Sequence, residues 1–220
     1  SVSLYGDTAL IGTNHDDDVG INSGSVYVFT RPSSDGTFTQ RYKLHAHDKM
    51  PNDHFGYSVS LYGDTALIGA VGDDDNGKSG SGSVYVFTRS NTDGTFTQQS
   101  KIHASDAAAN DGFGVPVSLY GDTALIGAFL DDDNGKTNSG SVYVFKAPPP
   151  PPPPPPPSPP LPPPPLFLTS LVEYATQPKL YASDPADNDY FGVSVSLYGD
   201  TALIGARYDD DNSKSNSGSV

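Results

Sequence analysis

The chain has 220 residues, with 26 Asp plus Glu against 12 Lys plus Arg, for a net charge of −14. That balance excludes the basic face that nucleic acid needs and disfavours docking on anionic lipid; it points to cations as partners, either basic proteins or metal ions. Cys is absent, which removes disulfides, thiolate metal sites and a cysteine nucleophile, and no apolar run approaches the roughly 20 residues of a membrane helix.

Every acidic residue except Glu173 is Asp, which favours turns and caps over helix interiors. Together with 23 Gly, 13 Tyr and 10 Phe this predicts strands joined by tight turns. The segment Ser1 to Gly12, SVSLYGDTALIG, recurs nearly verbatim at Ser58–Gly69, Pro116–Gly127 and Ser194–Gly205. The glycines Gly6, Gly63, Gly121 and Gly199 stand 57, 58 and 78 residues apart. A second marker, Gly-Ser-Val, begins at Gly24, Gly82, Gly140 and Gly218. Such a period marks a repeat architecture.

One full unit runs from Phe55 to Gly112. Ser58–Tyr62 alternates small polar and apolar residues, as a two-faced strand should. Gly63-Asp64 is a turn, and Thr65–Ala70 a second strand. Gly72 to Gly82 is an acidic loop. Ser83–Thr88 is apolar on both faces and predicts a strand buried on both. Asp93-Gly94 is a tight turn, and the polar run from Thr95 to Ala104 suits an outer edge. Four antiparallel strands in about 58 residues have the size and order of a propeller blade, which hides its faces only by stacking on neighbours. The expected fold is therefore all-β: about three and a half blades of four antiparallel strands, interrupted by a polyproline II rod. The units are 1–54, 55–112, 113–147 continued at 166–190, and a partial 191–220, with the insert at 148–165. The Ser-Val-Ser-Leu-Tyr strand is expected innermost.

Phe55-Gly56 followed by Ile68-Gly69-Ala70 resembles the FG-GAP repeat of the integrin α-subunit propeller. Phe113-Gly114 with Ile126-Gly127-Ala128, and Phe191-Gly192 with Ile204-Gly205-Ala206, carry the same resemblance. The residue in the place of the motif's proline is Asn14, Val71, Phe129 or Arg207. Because the family usually closes seven blades, the resemblance implies a piece of a longer propeller; a ring completed by two copies and an open array are alternatives. The calcium loop of integrin α blades, D-x-D-x-D-G-x-x-D, lies just before G-A-P. Here Leu61-Tyr62-Gly63-Asp64-Thr65 holds that place, so the loop does not carry over.

Aspartates cluster instead after the Gly-Ala: Asp16-Asp17-Asp18, Asp73-Asp74-Asp75, Asp131-Asp132-Asp133 and Asp209-Asp210-Asp211. Two readings stand: solvated turns held by Asx hydrogen bonds, or Ca²⁺ sites, since Ca²⁺ accepts six to eight hard oxygens at irregular spacing. The metal reading assigns Asp16, Asp18, Asp73, Asp75, Asp131, Asp133, Asp209 and Asp211 as ligands. A second recurring pair, Asp48 and Asp53, Asp106 and Asp111, Asp184 and Asp189, predicts turn capping between units, with a ligand-facing role as the alternative.

Pro148 to Pro165 are all proline except Ser158 and Leu161. Lacking N–H groups, they cannot join a sheet, and as a polyproline II rod would span roughly 55 Å at about 3.1 Å per residue. A spacer and a ligand for proline-binding domains are both open readings. The segment also resembles the hydroxyproline-rich segments of algal and plant wall glycoproteins. That resemblance implies hydroxylation and O-glycosylation along the tract, with Pro148, Pro157, Ser158, Pro159, Pro162 and Pro165 as candidates.

The five histidines include His45 and His103, which follow the repeat, and His45 with His47, expected as a surface pair, with a metal held on a shared strand face as the alternative. Nothing resembles a nucleophile elbow, P-loop or zinc-protease helix, and the chain is expected not to be an enzyme. The favoured function is an extracellular or cell-surface adhesion or structural module. It would bind protein or glycan ligands, further copies or the rest of a longer propeller through its repeated loops, with Ca²⁺ as the candidate cofactor. A sugar-binding propeller and an accessory domain of a larger enzyme are the alternatives.

Overall fold

The computed structural model describes residues 1–32, 36–75, 77–133, 135–147, 175–210 and 216–220, with the backbone alone at 175–177. The proline-tract candidates and Asp211 lie outside the described residues. All fourteen elements among them are strands.

The first sheet holds β1 (Val2–Tyr5), β2 (Thr8–Thr13), β3 (Ser25–Thr30) and β4 (Thr39–Leu44). The second holds β5 (Phe55–Tyr62), β6 (Thr65–Ala70), β7 (Ser83–Arg89) and β8 (Phe96–Ile102). The third contains β9 (Val117–Tyr120), β10 (Thr123–Ala128), β11 (Ser141–Lys146) and β12 (Ala175–Leu180), and β13 (Phe191–Tyr198) pairs with β14 (Thr201–Ala206). Each four-stranded sheet is a simple antiparallel meander in chain order, as propeller blades are.

Alternation along these strands creates two cores. Ala66, Ile68, Tyr85 and Phe87 of the second sheet face Leu10, Val26 and Val28 of the first. Leu67, Val84 and Val86 face the third sheet, where Phe113, Ile126 and Phe145 meet them. The double-sided Val-Tyr-Val-Phe strand therefore supplies both inter-blade cores.

The innermost strand is the Ser-Val-Ser-Leu-Tyr one, and its serines reach the next blade. Ser3 Oγ accepts from Leu61 N–H at 2.9 Å, Ser60 Oγ from Leu119 N–H at 2.9 Å, and Ser118 Oγ from Leu197 N–H at 3.1 Å. In the first blade Ser1 Oγ also accepts from Val59 N–H at 3.0 Å, so serine hydroxyls satisfy backbone donors that the next blade's own sheet leaves unpaired.

The Phe-Gly pair sits inside the inner strand, across a bulge, so β5 begins at Phe55 and not at the expected Ser58. Gly56 takes φ +87°, in the left-handed region. Its carbonyl oxygen lies against Gly12 of the preceding blade so closely that a Cβ there would overlap it, and Gly69 meets Gly114 in the same way. The two glycines of FG and GAP are thus the two sides of one inter-blade contact.

Each outer strand carries a bulge at the same place, opposite Val28 and Phe29, Val86 and Phe87, or Tyr143 and Phe145 of the third strand. In the third sheet the irregular stretch includes Pro178, where the missing N–H breaks no ladder bond.

Candidate functional site

The aspartate clusters sit where the loop after the second strand meets the third and fourth strands. Their three positions divide the work. The first aspartate turns inward: Asp73 and Asp131 are 4% and 7% exposed. Asp16 Oδ2 accepts from Ser25 Oγ at 2.6 Å, and Ser141 Oγ donates likewise to Asp131. The second aspartate closes the loop. Asp17 Oδ1 accepts from Asn22 N–H at 2.7 Å, Asp74 from Gly80 at 2.8 Å, Asp132 from Asn138 at 2.7 Å and Asp210 from Asn216 at 2.6 Å. This is the Asx-type holding that the turn reading expects. The third aspartate approaches a lysine.

That lysine comes from the fourth strand. Lys43 lies 2.9 Å from Asp16 and also pairs with Asp18. Lys101 lies 2.7 Å from Asp73 and 2.8 Å from Asp48, with Asp75 at 4.0 Å. Lys179 touches three carboxylates, Asp131 at 2.5 Å, Asp133 at 2.6 Å and Asp106 at 2.8 Å. Each ammonium also rests near a tyrosine ring of the third strand, at 4.6 Å for Tyr27, 5.3 Å for Tyr85 and 5.0 Å for Tyr143. The Tyr143 hydroxyl, with a single proton, lies 2.7 Å from Asp106 and 3.2 Å from Asp131 and can donate to one of them at a time.

The electrostatics follow from these neighbours. The Ser25 hydroxyl and the Lys43 ammonium hold Asp16 far below the ordinary carboxyl range. Burial opposes the charge on Lys179, but hydrogen bonds to Asp106, Asp131 and Asp133 outweigh it and keep the amine protonated well beyond its usual range. Burial likewise pushes Asp48 up, and Lys101 with Tyr85 pulls it lower still. Burial raises Asp133, where three carboxylates share one cation.

The linker pair splits into two roles. The second member caps a turn as expected: Asp53 accepts from Met50 N–H at 2.6 Å, Asp111 from Ala108 at 2.5 Å and Asp189 from Ala186 at 2.6 Å. Burial lifts Asp53 to about 6, against the pull of the Met50 N–H. The first member, Asp48 or Asp106, is an ion-pair partner and not a cap. The signal for this is a third recurring string, Lys-(Leu/Ile)-(His/Tyr)-Ala-x-Asp, at Lys43–Asp48, Lys101–Asp106 and Lys179–Asp184. It carries the lysine of one cluster and the linker aspartate of the next.

The fourth cluster differs. Asp209 and Asp210 make loop hydrogen bonds, and no ion pair reaches them among the described residues. The His47 main-chain N–H donates to the Gln98 side chain at 3.0 Å, and His15 and His54 meet edge to face with centroids 5.2 Å apart. His103 Nδ1 stands 3.4 Å from Asp75.

The repeat markers coincide with the blade contacts, and the family comparison agrees. Residues 1–29, 38–87, 96–145 and 174–220 match the FG-GAP repeat. The chain belongs to the FG-GAP repeat family. Each internal match of this FG-GAP protein runs from the outer strand of one sheet through three strands of the next, so the family unit straddles the blade interface. No curated protein matches the chain.

As a test of the calcium assignment, the donor set is mixed. Asp16 and Asp18, Asp73 and Asp75, and Asp131 and Asp133 are brought together as the assignment requires, but each pair faces an ammonium. At least one carboxylate of each pair already meets lysine at hydrogen-bond distance, Asp16, Asp73 and Asp131 among them.

Proposed function

We propose that this FG-GAP chain is a binding and structural module of an extracellular or cell-surface protein, meeting basic partners through its repeated loops, with no chemistry of its own. One observation carries this reading. Asp17, Asp74, Asp132 and Asp210 occupy the same place in four successive blades, each exposed and each fixed by a backbone hydrogen bond. A regular, preorganised row of carboxylates recruits cationic segments by steering and by register. Among the described residues no helix is long and apolar enough to cross a membrane.

Replacing these four residues by Asn keeps the loop-closing oxygen and removes only the charge. Binding to an immobilised oligolysine peptide at 0.15 M salt should weaken at least tenfold in this variant. A control with Asn at Asp7, Asp64, Asp122 and Asp200 loses the same formal charge and should retain most of the binding. Equal loss in both would reduce the reading to bulk acidity and end it.

Calcium is a second proposal, favoured by charge: Asp106, Asp131 and Asp133 place three carboxylates around a single ammonium. Ca²⁺ would have to share or displace Lys179 there.

A further inference from the structure

The innermost strands end in a continuous row of aromatic rings. Tyr5, Tyr62, Tyr120 and Tyr198 follow one another with centroids 5.0, 4.9 and 5.1 Å apart and planes inclined 50–58°. Tyr5 and Tyr198 are exposed and the two between are half-buried. The aspartate clusters do not use this row, and of its four members Tyr62 alone packs against an inter-blade core.

We propose that the tyrosine row is a docking surface for a proline-rich segment, and that its occupant is the proline tract, residues 148–165, of a second copy of this chain. The inference is independent of the extracellular setting and of the carboxylate row. Three observations support it.

The first is shape. Proline-rich segments dock on aromatic-lined surfaces because their extended helix is already ordered and costs little entropy on binding. One polyproline turn rises about 9 Å. The tyrosine spacing is close to half of that, so alternate rings fall in step with successive turns. The rings touch one another, so pyrrolidine rings would pack across their outer edges, where a phenol hydroxyl can donate to a polyproline carbonyl that has no internal partner.

The second is charge. The molecule carries −14 overall, so most surfaces of one copy repel those of another. The stretch from Pro148 to Val172 contains no charged residue and approaches without that penalty.

The third is placement. Strand β11 ends at Lys146, and Ala147 N–H donates to the Asp122 carbonyl at 2.8 Å, in the turn that directly follows Tyr120. Ala147, the last described residue before the tract, therefore lies at the same edge as the row. With donor and acceptor surface at one edge, two copies related by a twofold axis satisfy both contacts at once, the closed arrangement that homodimers favour.

The test is sedimentation equilibrium of the full chain, with a decaproline peptide as competitor. The expected result is a monomer–dimer equilibrium that decaproline shifts to monomer. A variant with residues 148–165 replaced by a Gly/Ser run of equal length should be monomeric and should bind decaproline. Tyr62→Ala and Tyr120→Ala should each weaken dimerisation at least tenfold. Tyr5→Ala and Tyr198→Ala, at exposed positions that leave the fold intact, should do so in smaller measure if the inner pair disturbs folding. A full chain that stays monomeric at every concentration overturns the proposal, including the case where its own tract covers the row. A dimer indifferent to decaproline and to all four substitutions overturns it too. So does a row that takes up cello- or xylo-oligosaccharides and leaves decaproline unbound.

Discussion

The sequence Thr-Ala-Leu-Ile-Gly is identical in all four blades, yet its surroundings differ. In the second blade Leu67 and Ile68 are both fully buried. In the first, Leu10 is buried while Ile11 is 37% exposed; in the fourth, Leu203 is 57% exposed. Leu67 points toward the third blade and Ile68 toward the first. Identical strands thus acquire different burial according to which side a neighbouring blade covers. The core of this molecule belongs to pairs of blades and not to any one of them, which is the physical sense of a repeat fold.

The largest expected effect sharpens that contrast at the glycine contact. Gly69→Ala would drive a methyl into the Gly114 carbonyl of the next blade and should destabilise the fold by about 3 kcal/mol. Gly205→Ala, at the same place in the fourth blade, meets no neighbouring Phe-Gly among the described residues; its methyl would fall against the hydroxyl of the exposed Ser194, which can rotate away, and the cost should be about 1 kcal/mol. Equal losses in urea unfolding would show that the glycine serves its own strand and not the interface.

A smaller effect compares the lysine-centred clusters with each other. Lys179→Met leaves Asp106, Asp131 and Asp133 without their cation and should cost about 2 kcal/mol, less than a fully buried pair because solvent reaches part of the site. Millimolar Ca²⁺ should recover part of the lost melting temperature in this variant and shift the wild type less. No recovery would end the calcium proposal.

The smallest expected effect is a slope. Asp53 has its carboxyl raised to about 6 by burial, so the folded state holds a proton that the unfolded state has released between about pH 4 and 6. Its contribution to stability is full below that window, falls as pH rises through it, and levels off above. The slope should reach at most about 1.4 kcal/mol per pH unit within the window, and Asp53→Asn should flatten it. A wild-type curve that rises over the same window would show that other carboxylates dominate.

Much of this was legible in one dimension. The 58-residue period, the glycine markers and the strand alternation sufficed for four-stranded blades, and Ser-Val-Ser-Leu-Tyr was readable as the inner strand from its small residues. The clusters were visible as composition only. Asp16 and Lys43 are 27 positions apart, and Asp106 and Lys179 are 73 apart with the proline tract between them. No local pattern announces that they touch, although the recurring Lys-x-x-Ala-x-Asp string was there to be read.

What the sequence by itself determined is the unit: its length, its turns, the two faces of each strand and the residues that repeat. Those follow from local rules of backbone freedom and alternation, which act within a few residues. Which faces are covered, which aspartate meets an ammonium and which tyrosines form a row were decided only when the units leaned on one another. Burial and Coulomb interaction depend on distance in space, and stacking brings residues about 58 positions apart within 5 Å.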